Sequence, residues 1–130
     1  MLNRDELKSV TAAVGAEATI GTAVLQNMRR FIYRIRFVNG AVGVNTLLVG
    51  KRENGAGATT NLDTIQTVVP NEMVTDPDEF KEDSAPLYVI DGPPGNVAVA
   101  VGFLSLVRMA TGGGAGAPGI VTYWYVDEPA

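Results

Sequence analysis

The stretch "RRFIYRIRFV" at residues 29–38 constrains this chain more than any other. Large apolar residues recur at every second position, Phe31, Tyr33, Ile35 and Phe37, and the other register holds Arg30, Ile32, Arg34 and Arg36. A strand sends alternate side chains to opposite faces. The pattern therefore predicts a strand with one core face and a second face carrying a row of guanidiniums, here Arg30, Arg34 and Arg36.

The same period of two recurs along the chain. "EATIGTAVL" (17–25), "VNTLLVGKR" (44–52), "NLDTIQTVV" (61–69), "APLYVI" (85–90), "NVAVAVGFLSLVRM" (96–109) and "IVTYWYVDE" (120–128) read as strands. They are separated by Gly, Pro and Asn clusters such as "DGPPG", and Asn39-Gly40 is a hairpin-type turn signal. "ATGGGAGAPG" (110–119) reads as a flexible connection of small residues. Short strands at regular spacing predict an all-β fold, an antiparallel β-sandwich or small barrel of about seven strands. Residues 1–16 differ. Asn3 can cap a helix with Glu6 at the reciprocal position, and Leu7, Val10 and Val14 follow at helical spacing. This segment reads as a short N-terminal helix or an extended arm, with the sandwich domain at 17–130.

Composition narrows the chemistry. The 130 residues contain no cysteine and no histidine. Thiol chemistry, thiolate zinc sites and disulfide scaffolds are excluded, and so are the Ser-His-Asp triad and the commonest metal ligand. No cofactor or metal site is implied, and a non-enzymatic role is expected. "GGGAG" lacks the Lys-Ser/Thr and the strand–loop–helix setting of a phosphate loop. "DPDEFKED" (76–83) has oxygen ligands for calcium, but Lys81 stands where an EF-hand loop needs glycine. The N-terminus is polar, unlike a signal peptide, and no apolar run is long enough to span a bilayer as a helix. The expectation is a chain made in the cytoplasm with no membrane partner.

The charges are segregated. Six of the ten basic residues lie in residues 29–52, and seven of the fourteen acidic residues lie in 72–91. Arg30, Arg34 and Arg36 on one side and Asp76, Asp78 and Glu79 on the other read as contact surfaces, because charge complementarity fixes register between molecules. Nucleic acid is not expected as a partner, since the net charge is -4 and the aromatics of that strand fall on the other face. In the last strand Trp124 shares a face with Ile120 and Val126 and reads as core. Tyr123 and Tyr125 point the other way, as a surface or an interface. Both faces of residues 97–107 are apolar, which fits either a covered central strand or packing on a neighbouring subunit.

The order of "NLDTIQTVVPNEMV", "APLYVI", "DGPPG", "NVAVAV" and "VTYWYVDEP" resembles the small β-sandwich decoration, or cement, proteins on the heads of tailed bacteriophages. The likeness covers roughly the C-terminal half. It implies a virion structural protein on the outside of a capsid, bound to the major capsid protein and commonly a homotrimer. It transfers no individual site residue. The alternatives are a carbohydrate- or host-surface-binding module using Tyr88, Tyr123, Trp124 or Tyr125 as stacking platforms, and an enzyme subunit built on carboxylates.

Overall fold

The computed structural model describes residues 7–40, 44–53, 57–67, 73–76, 85–93 and 104–130. They form two antiparallel sheets. Elements in chain order are β1 (Lys8–Val14), β2 (Ala18–Thr19), β3 (Met28–Asn39), β4 (Asn45–Arg52), β5 (Thr60–Thr67), β6 (Met73–Asp76), β7 (Tyr88–Asp91), β8 (Leu106–Thr111) and β9 (Gly119–Pro129). One sheet has the order β1-β9-β3-β6, with β7 also on β3, and the other has the order β2-β8-β4-β5. β7 pairs with residues 29–32 of β3 and β6 with residues 35–38, so the two lie end to end along one side of β3. Counted as one interrupted strand, they complete a nested scheme. First pairs with last, second with second-to-last, third with sixth and fourth with fifth, which is the connectivity of a jelly roll. The β-sandwich expected from the sequence is borne out, with nine strand segments among the described residues.

The core fills the space between the sheets. Ile32, Ile35, Phe37, Val121 and Tyr123 from one sheet meet Leu47, Val49, Val107 and Met109 from the other, each essentially inaccessible to solvent. Residues 97–103, which carry most of the two-sided apolar run, lie outside the described residues. The β8 part that follows alternates cleanly, with Val107 and Met109 inward and Arg108 outward.

Four expectations are corrected. Of the segment 1–16, read as a short helix or an arm, residues 1–6 lie outside the described residues, and Lys8–Val14 is not helical but an edge strand, paired residue by residue with β9 from Lys8↔Tyr125 to Val14↔Gly119. Val10 and Val14 fit both periods, because a spacing of four is a helical turn and also two strand repeats. Ala12, partly buried between them, belongs to the strand pattern only. The hairpin signal at Asn39-Gly40 is instead a crossing between sheets, since β3 and β4 are not partners. Asn45 Nδ2 donates to Asn39 Oδ1 at 3.1 Å and to Ala117 O at 3.0 Å, and the Gly40 amide donates to Pro118 O. These bonds satisfy two buried asparagines and tie the crossing to the glycine-rich segment. That segment is anchored as well: Thr111 Oγ1 donates to Gly114 O at 2.8 Å, and Gly114 takes the left-handed φ of 63° that closes the turn.

The third and fourth corrections concern faces. The β3–β9 ladder shifts register between Ile32 and Arg34, so Tyr33 is an extra residue with no counterpart in the β9 register, a β-bulge. Before it Arg30 and Ile32 point inward; after it Ile35 and Phe37 do, and Arg34 and Arg36 point outward. The expected guanidinium row is therefore split. In β9 the inward residues are Val121 and Tyr123, while Ile120 is 51% exposed and Trp124 lies on the outer face. A tyrosine can be core here because its hydroxyl is satisfied: it donates to Ile20 O at 2.7 Å. Gly21, at φ 87°, leaves the room, since a Cβ there would stand 2.6 Å from that hydroxyl oxygen.

The bulge makes a direct prediction. Deleting Tyr33 restores strict alternation with every inward residue still inward, so the variant should keep a cooperative thermal transition. Deleting Ile35 puts Arg36 at a core position and should abolish that transition. Melts followed by circular dichroism compare the two.

Candidate interaction surface

The residues singled out from sequence separate into two clusters on opposite sides of one sheet. The first is internal. Arg30 is 1% exposed and every guanidinium nitrogen has an acceptor. Nε and Nη2 donate to the two oxygens of Asp127 at 2.8 and 3.0 Å, a bidentate fork. Nη1 donates to Thr22 O at 2.7 Å and to the Tyr123 hydroxyl at 3.2 Å. The Tyr125 ring lies 4.3 Å from the guanidinium carbon. Burial opposes the charge of Arg30, yet its hydrogen bonds to Asp127, the charge of that carboxylate and the surrounding tyrosines outweigh it and hold the pKa above the ordinary value. Burial pushes Tyr123 up to about 12, against the opposing pull of Arg30. This cluster is a satisfied strut inside the protein, so Arg30 and Tyr123 are not surface contacts, and Tyr125 is committed to the same strut.

The second cluster faces outward. Cross-strand pairing sets Arg34 beside Trp124 and Arg36 beside Thr122. The guanidinium carbons of Arg34 and Arg36 lie 5.4 and 5.6 Å from the centroid of the Trp124 ring, so both cations are within cation–π reach of it. Thr11 and Thr122 share a hydrogen bond of 2.8 Å one row further on. Toward one end, Val38 pairs with Ile120, 51% exposed; toward the other, Phe31 pairs with Val89, 42% exposed. Beyond Phe31 the row ends in an exposed ion pair, Arg29 Nε to Asp91 at 2.6 Å. The outer face of the five-stranded sheet thus carries aromatic, β-branched and guanidinium groups side by side. Aromatic residues and arginine are the types enriched where proteins meet.

Asp76 ends β6 opposite Ile35. Asp78 and Glu79 lie outside the described residues, as do the rest of 77–84 and the calcium reading of that segment. Sequence reasoning missed Trp124 as a surface residue and Asp127 as the partner of Arg30. Asp127 lies two residues beyond Tyr125 and so on the same face of the strand. That much was readable, but its pairing with Arg30 depends on a register that sequence does not supply.

The other sheet carries a polar groove of about 220 Å³ on its outer side, lined by Glu17, Leu48, Gly50, Thr59, Asn61 and Arg108 among others. Thr59 Oγ1 donates to Glu17 Oε1, with Arg108 at 3.4 Å and Arg52 at 3.7 Å. The hydrogen bond from Thr59 lowers the Glu17 pKa most; burial opposes it, and Arg108 and Arg52 lower it further. Among the described residues no aromatic ring lines this groove. Among the described residues no three Asp, Glu, His or Cys side chains come together as metal ligands.

No family model matches the chain, and no curated protein matches it. Among solved structures, a chain described as "CBM4 structure and function" is similar over 97% of this chain and 96% of that one, at 14% identity and a TM-score of 0.38. At that score the likeness is loose, and the functional reading rests on the residues alone.

The two clusters should respond differently to mutation. Asp127→Ala leaves a buried guanidinium without its counter-charge and should destabilise the fold by about 3 kcal/mol, the low end for a broken buried pair because Asp127 is 21% exposed. Arg36→Gln removes one stacking contact and should cost about 1 kcal/mol or less. Equilibrium denaturation in urea measures both.

Proposed function

We propose that this chain is a non-enzymatic virion structural protein that binds the outside of an assembled capsid through the outer face of its five-stranded sheet. The observation that carries the reading is Trp124 within cation–π reach of both Arg34 and Arg36 on a partly apolar face. A tryptophan flanked by arginines has the composition of a binding hot spot: a large ring to bury, and planar donors that recognise carboxylates in pairs. The molecule is acidic overall, at net charge -4, yet this face presents cations. An acidic strip of the major capsid protein is the complement that would orient it. The resemblance of residues 61–129 to head decoration proteins favours such a partner, and the capsid surface is then where the protein resides.

The fold is compatible with this role without selecting it, because sandwiches of this connectivity serve many functions. The carbohydrate-binding alternative has fewer rings to use than the sequence suggested. Tyr123 is buried and Tyr125 is held under Arg30.

Co-sedimentation with capsid shells prepared without this protein tests the proposal. The wild-type chain should pellet with shells in a saturable, salt-sensitive way. Trp124→Ala combined with Arg36→Gln should weaken that binding at least tenfold, consistent with the loss of a hot-spot residue worth about 2 kcal/mol. Unchanged binding by a folded double variant would remove this face from the contact. Retention on glycans with no affinity for shells would replace the proposal with the carbohydrate-binding reading.

A further inference from the structure

The five-stranded sheet ends in a strand that lacks the usual protection of an edge. β1 runs for seven residues in unbroken register on β9, with no bulge and no proline. Among the described residues no strand pairs with its other side. Exposed edges are ordinarily shortened, bent, or marked with charges, because a free row of backbone donors and acceptors recruits another strand. The other edges show those devices. β2 has two residues and β6 and β7 have four each. β5 carries Asp63 and lies opposite a register shift at Val49/Gly50. β1 has one lysine, at its very start, and otherwise only Ser, Val, Thr and Ala.

We infer that β1 is a homodimerisation edge: two copies pair their β1 strands antiparallel about a twofold axis at Thr11, joining two five-stranded sheets into one. The sequence of the strand is self-complementary in that register. Val10 falls opposite Ala12 of the other copy on the inner face, and both are only partly buried in the monomer. Ser9 falls opposite Ala13 on the outer face, small residues that allow close approach. Lys8 meets Val14, so the single charge of the strand is never opposed to itself, whereas a parallel pairing would set Lys8 against Lys8. Thr11 meets its own copy, and paired threonines suit a sheet surface. The interface is isologous, as a closed dimer requires. The inference concerns the edge of the sheet and stands apart from the docking face, although pairing would place two Trp124 faces on one continuous surface. It yields an even-numbered assembly, in place of the trimer that the family resemblance implies.

The absence of native cysteine makes the register testable. Directly opposed residues in an antiparallel pair stand about 4.5–5.5 Å apart between Cα atoms, within disulfide reach. Thr11→Cys should therefore give a covalent dimer on mild oxidation. Ser9→Cys alone should not, because its own copy lies roughly 13 Å away, four residues of strand rise. A mixture of Ser9→Cys and Ala13→Cys chains should cross-link as heterodimers. In parallel, sedimentation equilibrium should give a dimer mass for the wild type and a monomer mass for Thr11→Lys, which sets two ammonium groups face to face; Thr11→Val, which loses the same hydrogen bond to Thr122 without adding charge, should remain a dimer. Trp124→Ala should leave the dimer intact. A wild-type monomer at every concentration overturns the inference, as does a trimer that Thr11→Lys leaves unchanged. Cross-linking of Ser9→Cys as fast as Thr11→Cys overturns the register.

Discussion

One extra residue in β3 decides which arginines this protein shows to the outside. β3 and β9 run together over almost their whole lengths, and the register of that ladder skips Tyr33. Side chains alternate strictly along a strand, so an extra residue exchanges the two faces from that point on. Upstream of Tyr33 the inward positions are Arg30 and Ile32; downstream they are Ile35 and Phe37. Without the exchange, Arg30 could be inside only if Arg34 and Arg36 were inside too. The bulge lets one guanidinium enter the sandwich while its two neighbours stay on the surface.

The arginine that enters is fully accommodated. Its fork grips Asp127, its remaining donor reaches the backbone of Thr22 and the Tyr123 hydroxyl, and Tyr123 passes the chain of hydrogen bonds on to Ile20. Strand β3, strand β9 and the segment between β2 and β3 are joined at one point. A buried ion pair of this kind costs nearly as much in desolvation as it returns in attraction. Its consequence is the geometry it imposes: a one-residue slip that set Val126 opposite Arg30 would leave that guanidinium buried without a carboxylate. The strut thereby guards the same register that the bulge sets.

Much of the fold was legible. The spans of β3, β4, β5 and β9 follow the alternating runs closely, since period two and β-branched content need no tertiary information. The faces of β3 and β9 were not legible, for two physical reasons. A bulge leaves no trace in a strand whose sequence alternates throughout, because only the register of the facing strand shows where the extra residue stands. And Tyr123 outranks Trp124 for the core only because Ile20, Gly21 and Arg30 happen to receive its hydroxyl. The segment around Val10 and Val14 was ambiguous because a spacing of four serves helix and strand alike, and the seven-residue partner offered by β9 settles it. Asn39-Gly40 carries a turn signal that is correct as a turn and misleading as a hairpin. Of the expected contact residues, Arg34 and Arg36 are where they were placed, while Arg30 and Tyr123 moved inside.

What is left outside, after the core has taken Arg30, Tyr123 and Tyr125, is a face with Trp124 at its centre. Trp124 is the single tryptophan of the chain and is partly exposed. Its fluorescence therefore reports on that face alone. Acrylamide quenching of Trp124, measured for the free protein and for the protein bound to capsid shells, tests the account most directly. The account predicts ready quenching when free and strong protection, with a blue-shifted emission, when bound. Saturable binding that leaves the quenching and the emission of Trp124 unchanged would contradict it.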